Sequence, residues 1–92
     1  MKTVLLIEDN LEIRENTAEI LELAGYEVLT AENGKIGMML AFERQPHLVV
    51  CDILMPVMDG FEVLSSLQRD KHLRDAPFIF LTAKTEKADF RE

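Results

Sequence analysis

Residues 47–60 read HLVVCDILMPVMDG. Leu48, Val49, Val50 and Cys51 make an apolar run too short for a helix and without the alternation of a half-exposed strand, so the spacing predicts a strand at 48–51 buried on both faces. Asp52 then closes that strand with an ionisable acid. A strand covered on both faces needs strands beside it and helices above and below, which places the chain among α/β folds. A carboxylate at the tip of so apolar a strand needs a reason of its own.

Outward from this stretch the chain alternates. Apolar runs at 3–7, 26–31 and 78–81, the last entered through Pro77, predict three further strands. Between them, 11–24 places Ile13, Thr17, Ile20, Leu21 and Ala24 on one helical face, with Gly25 as a stop. The stretch 33–44 places Ile36, Met39 and Leu40 on another face, and 60–69 turns Val63, Leu64 and Leu67 inward. Residues 84–92 have the composition of a helix start. The order β-α-β-α-β-α-β-α predicts a doubly wound parallel sheet with helices on both faces. If the sheet is wound both ways from the first strand, strands one and three are neighbours, and the crevice beyond their carboxyl ends is where ligands bind.

Into that crevice point Glu8 and Asp9 from strand one and Asp52 from strand three, and Thr82 ends strand four. Clustered carboxylates repel one another, a cost that a divalent cation removes. An all-oxygen set without His or Cys suits Mg²⁺, Mn²⁺ or Ca²⁺, and Mg²⁺ is favoured because few protein ligands leave room for water and a phosphate oxygen. The plainer reading makes Asp9-Asn10 a helix cap and Asp52 the start of a turn. Asp59-Gly60 reads as a turn and cap opening the third helix. Met38, Met39, Met55 and Met58 read as packing, and His47 and His72 as solvated.

The 92 residues predict one domain. Seventeen acids against ten Lys and Arg give a net charge of −7, which argues against a nucleic acid or an anionic membrane as partner. The single cysteine, Cys51, cannot form an internal disulfide and reads as a buried, inert thiol. The N-terminus MKTVLLIEDN has four consecutive apolar residues before its acids, too few for a signal peptide or a membrane span, so the expected location is cytoplasmic.

VLLIEDN at 4–10, the A-x-N-G turn at 31–34, DILMPVMDG at 52–60 and PFIFLTAK at 77–84 together resemble the receiver domain of two-component response regulators. The resemblance runs over the whole chain and implies a flavodoxin-like fold with strand order 2-1-3-4. It implies that Asp52 is the phospho-acceptor, attacking a phosphohistidine of a sensor histidine kinase or phosphotransfer protein. Glu8, Asp9, Asp52 and the backbone carbonyl of Leu54 resemble the Mg²⁺ ligands, and Thr82 the hydroxyl that binds the phosphoryl oxygens. Ala83 leaves access to Asp52, and Pro56 and Gly60 shape its loop. The family's fifth strand, with its Lys, and its fifth helix have no counterpart in these residues, so the expectation is a receiver incomplete at its C-terminus. Such a chain would self-associate through strand four or a rearranged fourth helix, and an output domain would lie outside it. One alternative is an interaction module that accepts no phosphate. Another is a Mg²⁺-dependent phosphohydrolase, which needs D-x-D-x-T/V where this chain has Glu8-Asp9-Asn10-Leu11-Glu12.

Overall fold

A computed structural model describes residues 1–81. The predicted site residue Thr82, its neighbour Ala83 and the helix expected at 84–92 lie outside the described residues. The elements run β1 Thr3–Ile7, α1 Leu11–Leu23, β2 Glu27–Ala31, α2 Gly34–Arg44, β3 Leu48–Asp52, α3 Gly60–Gln68 and β4 Phe78–Leu81. The sheet is parallel, in the order β2-β1-β3-β4, as expected. Ile7 pairs with Cys51 and Asp52 with Leu81, so β1, β3 and β4 all end at one edge of the sheet.

The alternation of side chains along β1 and β3 divides the core. Leu5, Ile7, Val49 and Cys51 pack toward α2 and α3 with Met38, Val63 and Leu67, whereas Val4, Leu6 and Val50 pack toward α1 with Ala18 and Leu21. Val4 through Glu8 are wholly buried. Burial of a large aliphatic side chain is worth roughly 1.5–3 kcal/mol, so this strand is the anchor of the fold.

Two helical faces differ from the sequence expectation. On α1 the inward residues include Ala18 and Leu21, while Ile20 is 66% exposed and Ala24 is the exposed C-cap. On α2 Met39 is 68% exposed, and the buried positions are Gly34, Gly37, Met38 and Ala41. Small residues bring this helix against β1: a Cβ on Gly37 would collide with the Ile7 side chain. A packing face made of Gly and Ala carries no hydrophobic periodicity. Strand β2 begins at Glu27 rather than Tyr26, and β3 runs one residue further than expected, so that Asp52 is part of the strand. On β4 Ile79 is 53% exposed, so that strand is covered less fully than its sequence suggests. His47 is exposed but engaged, its Nδ1 accepting the Thr3 N–H at 3.0 Å across the entrance to β1 and β3.

Side chains cap the helices, among them the Asp59 cap read from the sequence, while Asn33 caps α2 instead of opening it. Asn33 Oδ1 accepts the Ile36 N–H, and Asp59 and Glu62 form a reciprocal capping box at the start of α3. Asp59→Ala is expected to cost about 1 kcal/mol in urea denaturation, with the slope of the transition unchanged.

Candidate functional site

The carboxyl ends of β1 and β3 carry the acids. Glu8 follows β1 directly and is fully buried. It is held at three points: its N–H donates to the Ala31 carbonyl at 3.0 Å, its Oε2 accepts the Asn10 N–H at 2.8 Å, and its carbonyl accepts from Arg14 Nη1 at 2.7 Å. The α1 cap is Asn10, whose Oδ1 accepts the Ile13 N–H, so capping does not account for Asp9. Asp9 is half-buried and turned to the same edge.

Asp52 ends β3 with no exposed surface. Its pKa is pushed from 3.8 up to about 6, first by burial and then by the charge of Glu8, against the backbone N–H groups of Leu54 and Ile53 that stabilise the carboxylate. A hydrogen bond with the Glu8 carboxyl also raises it, because such a bond needs a proton. Next door, burial and the charges of Asp52, Glu8 and Asp59 push the Cys51 thiol up to about 12, so it is inert as a nucleophile.

One oxygen each from Glu8, Asp9 and Asp52 lies within 4.8 Å of the others. Opposite oxygens around Mg²⁺ stand about 4 Å apart and around Ca²⁺ about 5 Å, so the cluster fits a hard divalent ion. Burial is the larger cause of the raised Asp52 pKa, and the Glu8 charge that adds to it is a repulsion a cation would relieve.

The loop after Asp52 is tightly shaped. The Gly60 N–H donates to the Ile53 carbonyl at 2.9 Å, and a Cβ on Gly60 would stand 2.5 Å from the Asp52 carbonyl oxygen. Val57 has φ 73°, a left-handed conformation in which β-branched residues are rare, and the Met58 N–H closes a turn on the Pro56 carbonyl at 2.8 Å. Leu54 is half-exposed beside Asp52.

The structure therefore brings Glu8, Asp9 and Asp52 together, as the sequence predicts, with Leu54 adjacent in the chain. Arg14 was not anticipated. Its position in the first turn of α1 is the only signal, since a long cation there can reach back to the end of β1.

Comparison with known proteins places these features in context. The family model for the response regulator receiver domain matches residues 4–92. The chain is 42% identical over 86 residues to the phosphate regulon transcriptional regulatory protein PhoB of Pseudomonas aeruginosa, which covers 94% of this chain and 38% of PhoB. It thus spans little more than a third of that regulator's length. Among solved structures, the N-terminal domain of a response regulator receiver protein from Methanoculleus marisnigri JR1 superposes with a TM-score of 0.86 at 34% identity, covering 98% of this chain and 76% of the other. A crystal structure of the histidine kinase ThkA in complex with the response regulator protein TrrA matches with a TM-score of 0.82 at 41% identity, over 90% of this chain and 70% of that one.

Proposed function

The chain belongs to the response regulator receiver domain family, and from that premise we propose that it takes a phosphoryl group from a phosphohistidine of a sensor histidine kinase onto Asp52. One carboxylate oxygen of Asp52 forms a bond to phosphorus, the phosphorus–nitrogen bond breaks, and the electron pair returns to the histidine ring of the kinase. The observation that carries this reading is the convergence of two further carboxylates, Glu8 and Asp9, on a buried strand-end aspartate. With a pKa of about 6, Asp52 is mostly ionised at neutral pH and more basic than an ordinary carboxylate, which favours nucleophilic attack.

Glu8, Asp9, Asp52 and the Leu54 carbonyl would hold Mg²⁺, which when bound neutralises charge on the phosphoryl oxygens. Mg²⁺ is preferred over Ca²⁺ because so few protein ligands leave positions for water and a phosphoryl oxygen. The backbone N–H groups of Ile53 and Leu54 orient the Asp52 carboxylate, and Arg14 fixes the backbone from which Glu8 projects. Thr82 is assigned the phosphoryl-binding hydroxyl on the family pattern.

The chain would then be a signalling domain that assists its own phosphorylation and dephosphorylation. The ThkA–TrrA complex supports a histidine kinase as partner, and the match to a transcriptional regulator supports an output domain beside the receiver. The half-exposed Ile79 on β4, the border strand among the described residues, supports self-association through β4. Light scattering that gives a monomer at every concentration would remove that contact. No helix among the described residues is long and apolar enough to cross a membrane, and the proposed place of action is the cytoplasm.

The decisive experiment combines Mg²⁺ with a small phosphodonor. Intact-protein mass should rise by one phosphoryl group, acid-stable and hydroxylamine-labile, and Asp52→Ala should abolish it. Phosphate retained in Asp52→Ala would sink the assignment. Millimolar Mg²⁺ alone should raise the melting temperature by ligand linkage, and Asp9→Asn should shrink that rise.

A further inference from the structure

The turn at residues 31–34, Ala-Glu-Asn-Gly, has no part in the chemistry assigned above, yet it touches both acid-bearing arms of the site. On one side the Ala31 carbonyl accepts the Glu8 N–H at 3.0 Å. On the other, Gly34 is buried against Met58: a Cβ at position 34 would stand 2.8 Å from Met58 Cβ and Cγ and 3.0 Å from its carbonyl oxygen. Met58 Cβ and the carbonyl are fixed to the backbone, so no rotamer change would clear them.

Met58 belongs to the loop whose first residues, Ile53 and Leu54, donate their N–H groups to Asp52. That loop is stiff. Its ends are joined by the Gly60–Ile53 hydrogen bond, Met55 is buried in the core, and Val57 is locked in a three-residue turn. A stiff loop passes a displacement at Met58 back to its start. The opposing turn is equally fixed, because Asn33 caps α2.

We propose that Gly34 is a positioning residue for the acid site: the close seat of Met58 on Gly34 sets the separation between the arm carrying Glu8 and Asp9 and the arm carrying Asp52 and Leu54. This rests on the reading of the site as a Mg²⁺-binding phospho-acceptor. Residues that orient metal ligands without touching the metal typically change affinity by 10–100-fold when altered.

The test is Gly34→Ala in the full chain, titrated with Mg²⁺ and followed by backbone amide NMR, with no phosphodonor present. The metal-free spectrum should show displaced Ile53 and Leu54 amides, and the Mg²⁺ dissociation constant should rise by about tenfold. Leu67→Ala, a core deletion in the last turn of α3, should lower the melting temperature and leave Mg²⁺ affinity within about twofold; an equal loss of affinity there would reduce Gly34 to a general structural role and overturn the proposal. If Gly34→Ala does not fold, Met58→Ala releases the same seat from the other side and should weaken Mg²⁺ binding several-fold. Unchanged affinity in whichever variant folds would overturn the proposal alone. Wild-type protein that binds no Mg²⁺ would overturn the functional reading, and this proposal with it.

Discussion

Asp52→Asn is expected to stabilise the metal-free protein by about 3 kcal/mol at pH 7.5 and to leave it nearly unchanged below about pH 4. The carboxyl titrates near 3.8 when unfolded and near 6 when folded. Below the lower value both states hold the proton and the buried group adds no charge to the core. Between the two values the unfolded chain loses its proton first, so stability falls as pH rises. Above about 6 the loss is complete and constant. Asparagine removes the charge while its oxygen still accepts the N–H groups of Ile53 and Leu54. Denaturation in EDTA across pH 4–8 measures the difference directly. An asparagine variant less stable than wild type at pH 7.5 would show that Asp52 is not held against burial and the Glu8 charge.

Gly60→Ala should have an effect of similar size and opposite sign. The new methyl would meet the Asp52 carbonyl oxygen at 2.5 Å and Ile53 Cα at 2.9 Å, both backbone atoms that cannot turn aside. Overpacking of this kind costs about 3 kcal/mol, and the roughly 1 kcal/mol that alanine gains in helix propensity offsets only part of it. For a chain of this size the net loss lowers the melting temperature by roughly 10 °C. The variant should also lose Mg²⁺-dependent stabilisation, because the strand end that carries Asp52 must move. A wild-type melting curve would show that α3 does not approach β3 so closely.

Much of this architecture was legible before any coordinates. β1 and β4 begin and end where apolar runs meet polar residues or proline, and Gly25 and Asp59 mark helix ends through backbone freedom and local hydrogen bonding. The acids could be brought together because topology alone sends Glu8, Asp9 and Asp52 to one sheet edge. What stayed hidden depends on distance between elements. The buried face of α2 is built from Gly34, Gly37 and Ala41, which a hydrophobic pattern overlooks, so Met39 looked inward when it points out. Ile20 misled in the same way, because Ala18 supplies the close contact with the sheet. The reach of Arg14 to the Glu8 carbonyl and the seat of Met58 on Gly34 are tertiary contacts with no local signature.

Cys51 sits wholly buried in β3, between β1 and β4, with its thiol donating to the Asp52 carbonyl at 3.3 Å. A thiol reagent in solution cannot meet it until that strand separates from its neighbours, and opening an interior strand requires the cooperative transition of the whole sheet. The rate of alkylation is therefore a clock for global unfolding, built into the residue beside Asp52. Slowed alkylation on adding an ion or a phosphodonor would time how far occupancy of the acid edge holds the sheet shut, with no label introduced anywhere in the chain.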